Sequence, residues 1–174
     1  HGKAWKDIEV IEETIPLKNG KDTTVVIRLT HHGPIISDIH PLLKDRNIAM
    51  SMAWTGHWVT TEMDAWVKLT TMRNWDDFTD GVELFGVPGQ NIVYADVNGN
   101  IGWRPAVYVP IRREGFSMIP RPGDDPAFDW KGKVPFEDMP FLYNPDKGFI
   151  STANNRTIGN DFPYYISGLW ADPS

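Results

Sequence analysis

The residues with the most chemical scope are five histidines, His1, His31, His32, His40 and His57. Imidazole titrates near neutral pH and is the commonest metal ligand. His31 and His32 are adjacent, so on an extended strand their side chains point to opposite faces. No His-x-x-x-His or Glu-x-x-His pair lies on a predicted helix. Ordinary core or surface imidazoles therefore account for these histidines better than a metal site, and no metal is expected. Asp96-Val-Asn-Gly-Asn100 has the spacing that opens a calcium loop, but the twelfth position lacks its Glu. It reads as a hairpin turn.

Serine offers no stronger signal. Ser37, Ser51, Ser117, Ser151, Ser167 and Ser174 have no Gly-x-Ser-x-Gly elbow around them. No Gly-x-Gly-x-x-Gly or Walker pattern supports a nucleotide site. The acid pairs Asp76-Asp77, Asp124-Asp125 and Glu137-Asp138 fall at helix starts or in loops, where capping and solvation explain them. Tryptophan is more informative. Trp54 closes an alternating run whose Ile48, Met50 and Met52 share its face. It could wall an apolar ligand pocket, but from the residues alone an ordinary core is the better reading.

The elements that must position these residues are mostly strands. Residues 8–15 and 23–29 flank Asn19-Gly20, and residues 91–96 and 100–103 flank Asn98-Gly99. Asn-Gly favours a two-residue type I′ turn, which needs positive φ at both central positions. Residues 48–54 alternate bulky and small side chains, which predicts a strand. Between these runs the period changes to that of a helix. Thr61 with Asp64 opens one helix, its apolar stripe Met63, Trp66 and Val67. Asn74 with Asp77 opens a second, its stripe Trp75, Phe78, Val82 and Phe85, stopped by Gly86 and Pro88. The two form an αα-hairpin near residues 61–86. Residues 107–111 continue extended, 112–148 read as a long ordered loop, and 149–153 as a short strand. The fold class is α+β, mostly antiparallel strands and hairpins.

Composition bounds the function. The chain has 174 residues, 17 Lys and Arg against 23 Asp and Glu, and a net charge of −6. That length suits one domain with room for a real core. The acidic balance argues against a general nucleic-acid partner, which needs a cationic face. No run reaches the roughly 18 apolar residues of a spanning helix, so no membrane is expected, and no signal peptide is visible. Cysteine is absent, which excludes disulfides, thiolate metal sites and a Cys nucleophile. From spacing and composition alone, a non-catalytic tryptophan-rich module for sugars or apolar ligands stays open beside an enzyme.

Longer motifs narrow this. Asn91-Ile-Val-Tyr-Ala-Asp-Val-Asn-Gly-Asn-Ile-Gly102 is followed by Asp129-Trp-Lys-Gly-Lys-Val-Pro-Phe136. Asn144-Pro-Asp-Lys-Gly-Phe-Ile-Ser-Thr-Ala-Asn-Asn155 comes after. Before them stand His32-Gly33-Pro34, Ala53-Trp54-Thr55 and Arg73-Asn74-Trp75, and Leu169-Trp170-Ala171-Asp172 ends the series. This order, over essentially the whole chain, resembles the β chain of the penicillin acylase family.

The resemblance implies a single-domain internal segment, residues 1–174, of a larger N-terminal-nucleophile hydrolase with the αββα arrangement. A precursor cuts itself and exposes a Ser, whose hydroxyl attacks a linear amide while its own α-amine acts as base. An α-amine with a pKa near about 7.7–8.0 suits that role. Penicillins and acyl-homoserine lactones are the implied substrates. The oxyanion-binding Asn of the family falls on Asn154, a neutral donor of the kind that stabilises a tetrahedral oxyanion. By the resemblance, Trp54 falls on an acyl-pocket tryptophan and Gln90 on another pocket-wall position, where the family can carry an apolar residue.

The nucleophile, the backbone oxyanion donor and a supporting Arg fall outside residues 1–174, so the isolated segment is expected to be inactive. A calcium-ligand position of the family falls on Tyr164, and neither calcium nor any cofactor is expected. The partners implied are the remainder of the acylase, meaning its α chain and upstream β-chain segment, and a small acyl-amide. A periplasmic or secreted location is implied by the resemblance alone.

Overall fold

The computed structural model describes residues 4–112, 119–168 and 170. The last family motif falls partly outside them, at Leu169, Ala171 and Asp172. The chain forms two compact units, His1–His57 with Ile119–Asp129, and Trp58–Met118 with Trp130–Ser174.

The first unit holds an antiparallel sheet of β1 (Glu9–Ile15), β2 (Thr23–Thr30) and β3 (Gly33–Pro34), in that order. Glu9 pairs with Leu29 and Ile15 with Thr23. The predicted first hairpin is present, but residues 16–22 connect it and the turn is not type I′. Gly20 takes φ +77°, whereas Asn19 does not have positive φ. Asn19 instead accepts the Lys21 N–H at 3.2 Å, and Gly20 N–H donates to the Leu17 carbonyl at 2.9 Å.

The alternating run 48–54 is not a ladder strand. It meets the chain after β3 through one bridge, Ile35 to Ser51, and through the bonds Ile36 N–H to Met50 O and Met52 N–H to Pro34 O, at 2.8 and 2.9 Å. Alternation specifies extended backbone, but a ladder needs a partner of matching length. Here β3 is two residues long and one of them is Pro34, which has no N–H. The bulky face is correspondingly open: Ile48, Met52 and Trp54 are exposed. Ile35 and Ser37 are buried, and the Ser37 hydroxyl accepts the Met50 N–H at 3.1 Å.

The second unit packs α1 (Glu62–Thr71) and α2 (Trp75–Glu83) with a sheet of β4 (Gln90–Ala95), β5 (Ile101–Ala106) and β6 (Leu142–Tyr143), antiparallel in that order. Its core joins Ala65, Leu69, Phe78, Val82, Phe85, Tyr94 and Ala106. The predicted stripe of α2 is the buried one. Asn74 caps α2, its Oδ1 accepting the Asp77 N–H at 2.8 Å, and Asp77 returns by accepting the Arg73 N–H at 2.9 Å.

The stripe predicted for α1 is wrong. Met63, Trp66 and Val67 are exposed, and the buried residues are Ala65 and Leu69. The two faces of this helix carry competing apolar sets, and α2 selects the smaller one. Gly81 of α2 sits so close that an added Cβ would lie 2.9 Å from Leu69 Cδ2. Thr61 precedes α1 as expected but makes no side-chain cap; its hydroxyl donates to the Leu84 carbonyl at 3.2 Å.

The second hairpin forms around Asp96, with Gly99 at φ +83° and Tyr94 paired to Gly102. The expected loop 112–148 contains β6 and two short 3-10 turns, Pro126–Phe128 and Phe136–Asp138. Residues 113–118 of it lie outside the described residues. Residues 149–153 are not a strand. Residues 107–111 run extended beside 131–134, with Val134 N–H bonded to Val109 O at 2.8 Å and one bridge at Pro110 and Lys133. Val109, Val134 and Met139 bury a second apolar cluster there.

Candidate functional site

Asn154 sits in the exposed loop after residue 148 with φ +59°. That left-handed backbone is uncommon for a residue with a side chain, and Asn tolerates it better than most. The loop is held locally. Ala153 N–H donates to Asn155 Oδ1 at 3.0 Å, and Arg156 Nη2 donates to the Gly159 carbonyl at 3.2 Å. The Asn154 carboxamide makes no hydrogen bond among the described residues. A neutral donor held this way is able to meet an oxyanion without adding charge.

Gln90 opens β4, pairs with Ala106 of β5 and is exposed. No hydrogen bond links it to Asn154. The loop before it is fixed by Glu62 of α1, which accepts the N–H groups of Gly86 and Val87 at 3.1 and 2.9 Å and the Thr60 hydroxyl at 2.7 Å. Burial works to raise the Glu62 pKa, but these donors outweigh it and hold the carboxyl below its ordinary range.

Trp54 belongs to the first unit, and Gln90 and Asn154 to the second. The residue is 52% exposed, and its ring meets the His57 ring edge to face, centroids 5.4 Å apart. Half-exposed aromatic surface is what a pocket wall offers, not what a dry core needs.

The histidine reading needs correction. His31 and His32 do not lie on a strand with opposed side chains. They form the tight turn between β2 and β3, where Thr30 pairs with Gly33. Their rings lie 3.8 Å apart between centroids, tilted by 41°. Asp129 meets both, its Oδ1 being 3.6 Å from His31 Nε2 and 3.8 Å from His32 Nε2. These three side chains offer metal-type donor atoms within 4.8 Å of one another. Burial lowers the His31 pKa, the neighbouring His32 adds to this, and Asp129 opposes it. Sequence reasoning missed Asp129 because nothing local marks it: it stands in a motif far along the chain from the turn it meets.

Asp96 is a turn organiser. Its carboxylate accepts from the N–H groups of Asn98 and Asn100, the Asn100 amide and the Tyr94 hydroxyl, at 2.7 to 3.0 Å. Burial and that last bond push the Tyr94 phenol up to about 12. The Tyr164 hydroxyl donates to Asp138 Oδ2 at 2.6 Å.

The fold is an α+β chain of two small antiparallel sheets with two helices. The penicillin amidase family model matches residues 1–174, so the chain belongs to the penicillin amidase family. It is 36% identical over 164 residues to penicillin G acylase of Escherichia coli, covering 94% of this chain and 19% of that protein. It is 26% identical over 169 residues to acyl-homoserine lactone acylase QuiP of Pseudomonas fluorescens, covering 97% and 21%. Among solved structures it resembles the thermostable penicillin G acylase from Alcaligenes faecalis, with a TM-score of 0.72, 28% identity, and coverage of 94% of this chain and 29% of that one. The chain thus spans about a fifth of the length of these curated relatives.

Proposed function

We propose that this chain is a segment of the β chain of an enzyme that hydrolyses the linear amide bond of an N-acylated small molecule. The observation that carries the reading is Asn154: an exposed carboxamide on a left-handed backbone, in a family of acylases. In this reading Asn154 donates to the tetrahedral oxyanion. A Ser hydroxyl from another part of the parent attacks the acyl carbon, with its α-amine as base. Trp54 and Gln90 line the acyl side, and the open indole face of Trp54 supports that role. Gln90 places an amide where an apolar residue would favour a plain aryl group, so the preferred acyl chain carries a polar atom. The α chain and the upstream β-chain segment complete the site, and the segment alone is inactive. No helix among the described residues is long and apolar enough to cross a membrane. A periplasmic or secreted location is part of the proposal.

The test is hydrolysis of phenylacetyl and acyl-homoserine lactone amides by the parent protein, with Asn154→Ala beside it. Turnover that falls in kcat about 10²–10³-fold in the variant supports the reading. Equal turnover in both removes Asn154 from the site. No turnover in either, with saturable quenching of tryptophan fluorescence by oligosaccharides, replaces the enzyme by a sugar-binding module.

A further inference from the structure

We propose that His31, His32 and Asp129 bind one divalent transition-metal ion of the zinc class, which staples the β2–β3 turn to the segment Ile119–Asp129. All three residues lie in the first compact unit. The tight turn carries two consecutive imidazoles to one side, where a strand would separate them. Asp129 arrives from a distant part of the chain and sets one carboxylate oxygen 3.6 and 3.8 Å from the two Nε2 atoms.

Metal geometry makes these distances meaningful. A tetrahedral ion with bonds of about 2.0–2.2 Å holds neighbouring donors roughly 3.3–3.6 Å apart. The two carboxylate–imidazole spacings of 3.6 and 3.8 Å lie at or just beyond that range, and all three donors lie within 4.8 Å of one another, so rotations about the side-chain torsions must draw the imidazoles together. Two imidazoles and a carboxylate suit zinc, copper, nickel or cobalt, whereas magnesium and calcium favour all-oxygen sites. His32 Nε2 also lies 3.1 Å from the Gly123 carbonyl. To bind metal, His32 must carry its proton on Nδ1 and exchange the Gly123 contact for the metal bond. The side chains remain 38, 19 and 31% exposed for His31, His32 and Asp129, so the cluster borders solvent on the imidazole side, while Asp129 Oδ1 itself is buried.

The same turn presses on the segment that carries Trp54. Gly33, at φ +131°, lies so near that an added Cβ would meet the Met52 carbonyl at 2.3 Å and the His57 ring at 3.3 Å. A metal fixing the turn would therefore steady the backbone leading into Trp54.

The test is calorimetric titration of zinc chloride into the chelator-stripped protein that carries this chain, with His31→Ala, Asp129→Asn and the double variant beside it. The expected result is one equivalent of zinc whose affinity falls at least tenfold in each single variant and disappears in the double. His40→Ala, altering a half-buried imidazole outside the cluster, should leave it unchanged. Identical zinc stoichiometry and affinity in all four proteins would overturn the proposal. Cobalt(II) absorption of the unmutated protein keeps the test independent of how the variants fold. Visible d–d bands of a nitrogen- and oxygen-bound tetrahedral ion are expected, and a spectrum of aqueous cobalt alone rules the site out.

Discussion

The Glu62 carboxylate accepts the Val87 N–H at 2.9 Å, tying the first turn of α1 to the loop after α2. The same carboxylate takes the N–H of buried Gly86. The loop so fixed runs directly into Gln90, so a residue with no part in the chemistry sets where a candidate pocket residue begins.

Glu62→Ala should destabilise by about 1–3 kcal/mol, because buried N–H groups lose their acceptor. The ionised form of Glu62 is favoured in the fold, its pKa being held below the ordinary value. Its contribution is therefore complete above the unfolded carboxyl pKa and is lost as pH falls through the folded one. Thermal melts between pH 7 and 3 should show the gap between wild type and Glu62→Gln narrowing toward acid. A gap independent of pH contradicts this account.

Gly102 lies beneath the Trp75 ring, where an added Cβ would stand 2.1 Å from Cζ3. Trp75 also stacks on Phe78 and Tyr143, with centroids 5.1 and 4.7 Å away, so it has little room to retreat. Gly102→Ala should cost about 1–3 kcal/mol through overpacking. Denaturant unfolding would show a lower midpoint, and an unchanged midpoint would mean that the ring moves freely.

Asn154 allows backbone and side-chain roles to be separated. Its φ of +59° is one that glycine adopts without strain. In the parent protein, Asn154→Gly should keep or slightly raise the melting temperature while lowering kcat by about 10²–10³-fold. Loss of both together would assign Asn154 to the fold.

Trp54 should report on ligand. Replacing it by Ala in the parent protein should raise KM for aryl-acyl amides more than it lowers kcat, as expected for removal of binding made equally in ground and transition states. Because the indole is half exposed, its loss should change the melting temperature little. A large thermal loss with unchanged KM would make it core.

The family and much of the α+β layout were legible in the residues. Local chemistry fixed the Asn74–Asp77 cap, the Phe78 and Val82 face of α2 and both Asn-Gly hairpins. Those signals act over three to four residues, within reach of a sequence pattern. They placed the hairpins but not the turn type, since Asn19 and Asn98 spend their side chain or backbone polar groups on neighbouring bonds rather than adopting positive φ.

What only the tertiary structure decided involves a choice of partner. Met63, Trp66 and Val67 outweigh Ala65 and Leu69 in apolar bulk, yet the close approach of Gly81 requires the smaller face. The two-residue β6 pairs with β5 although no pattern marks it. Asp129 reaches His31 and His32 only because the fold returns the chain to their turn. Periodicity specifies which side chains share a face. Which face is covered, and which distant group meets it, depends on packing that no local run of residues encodes.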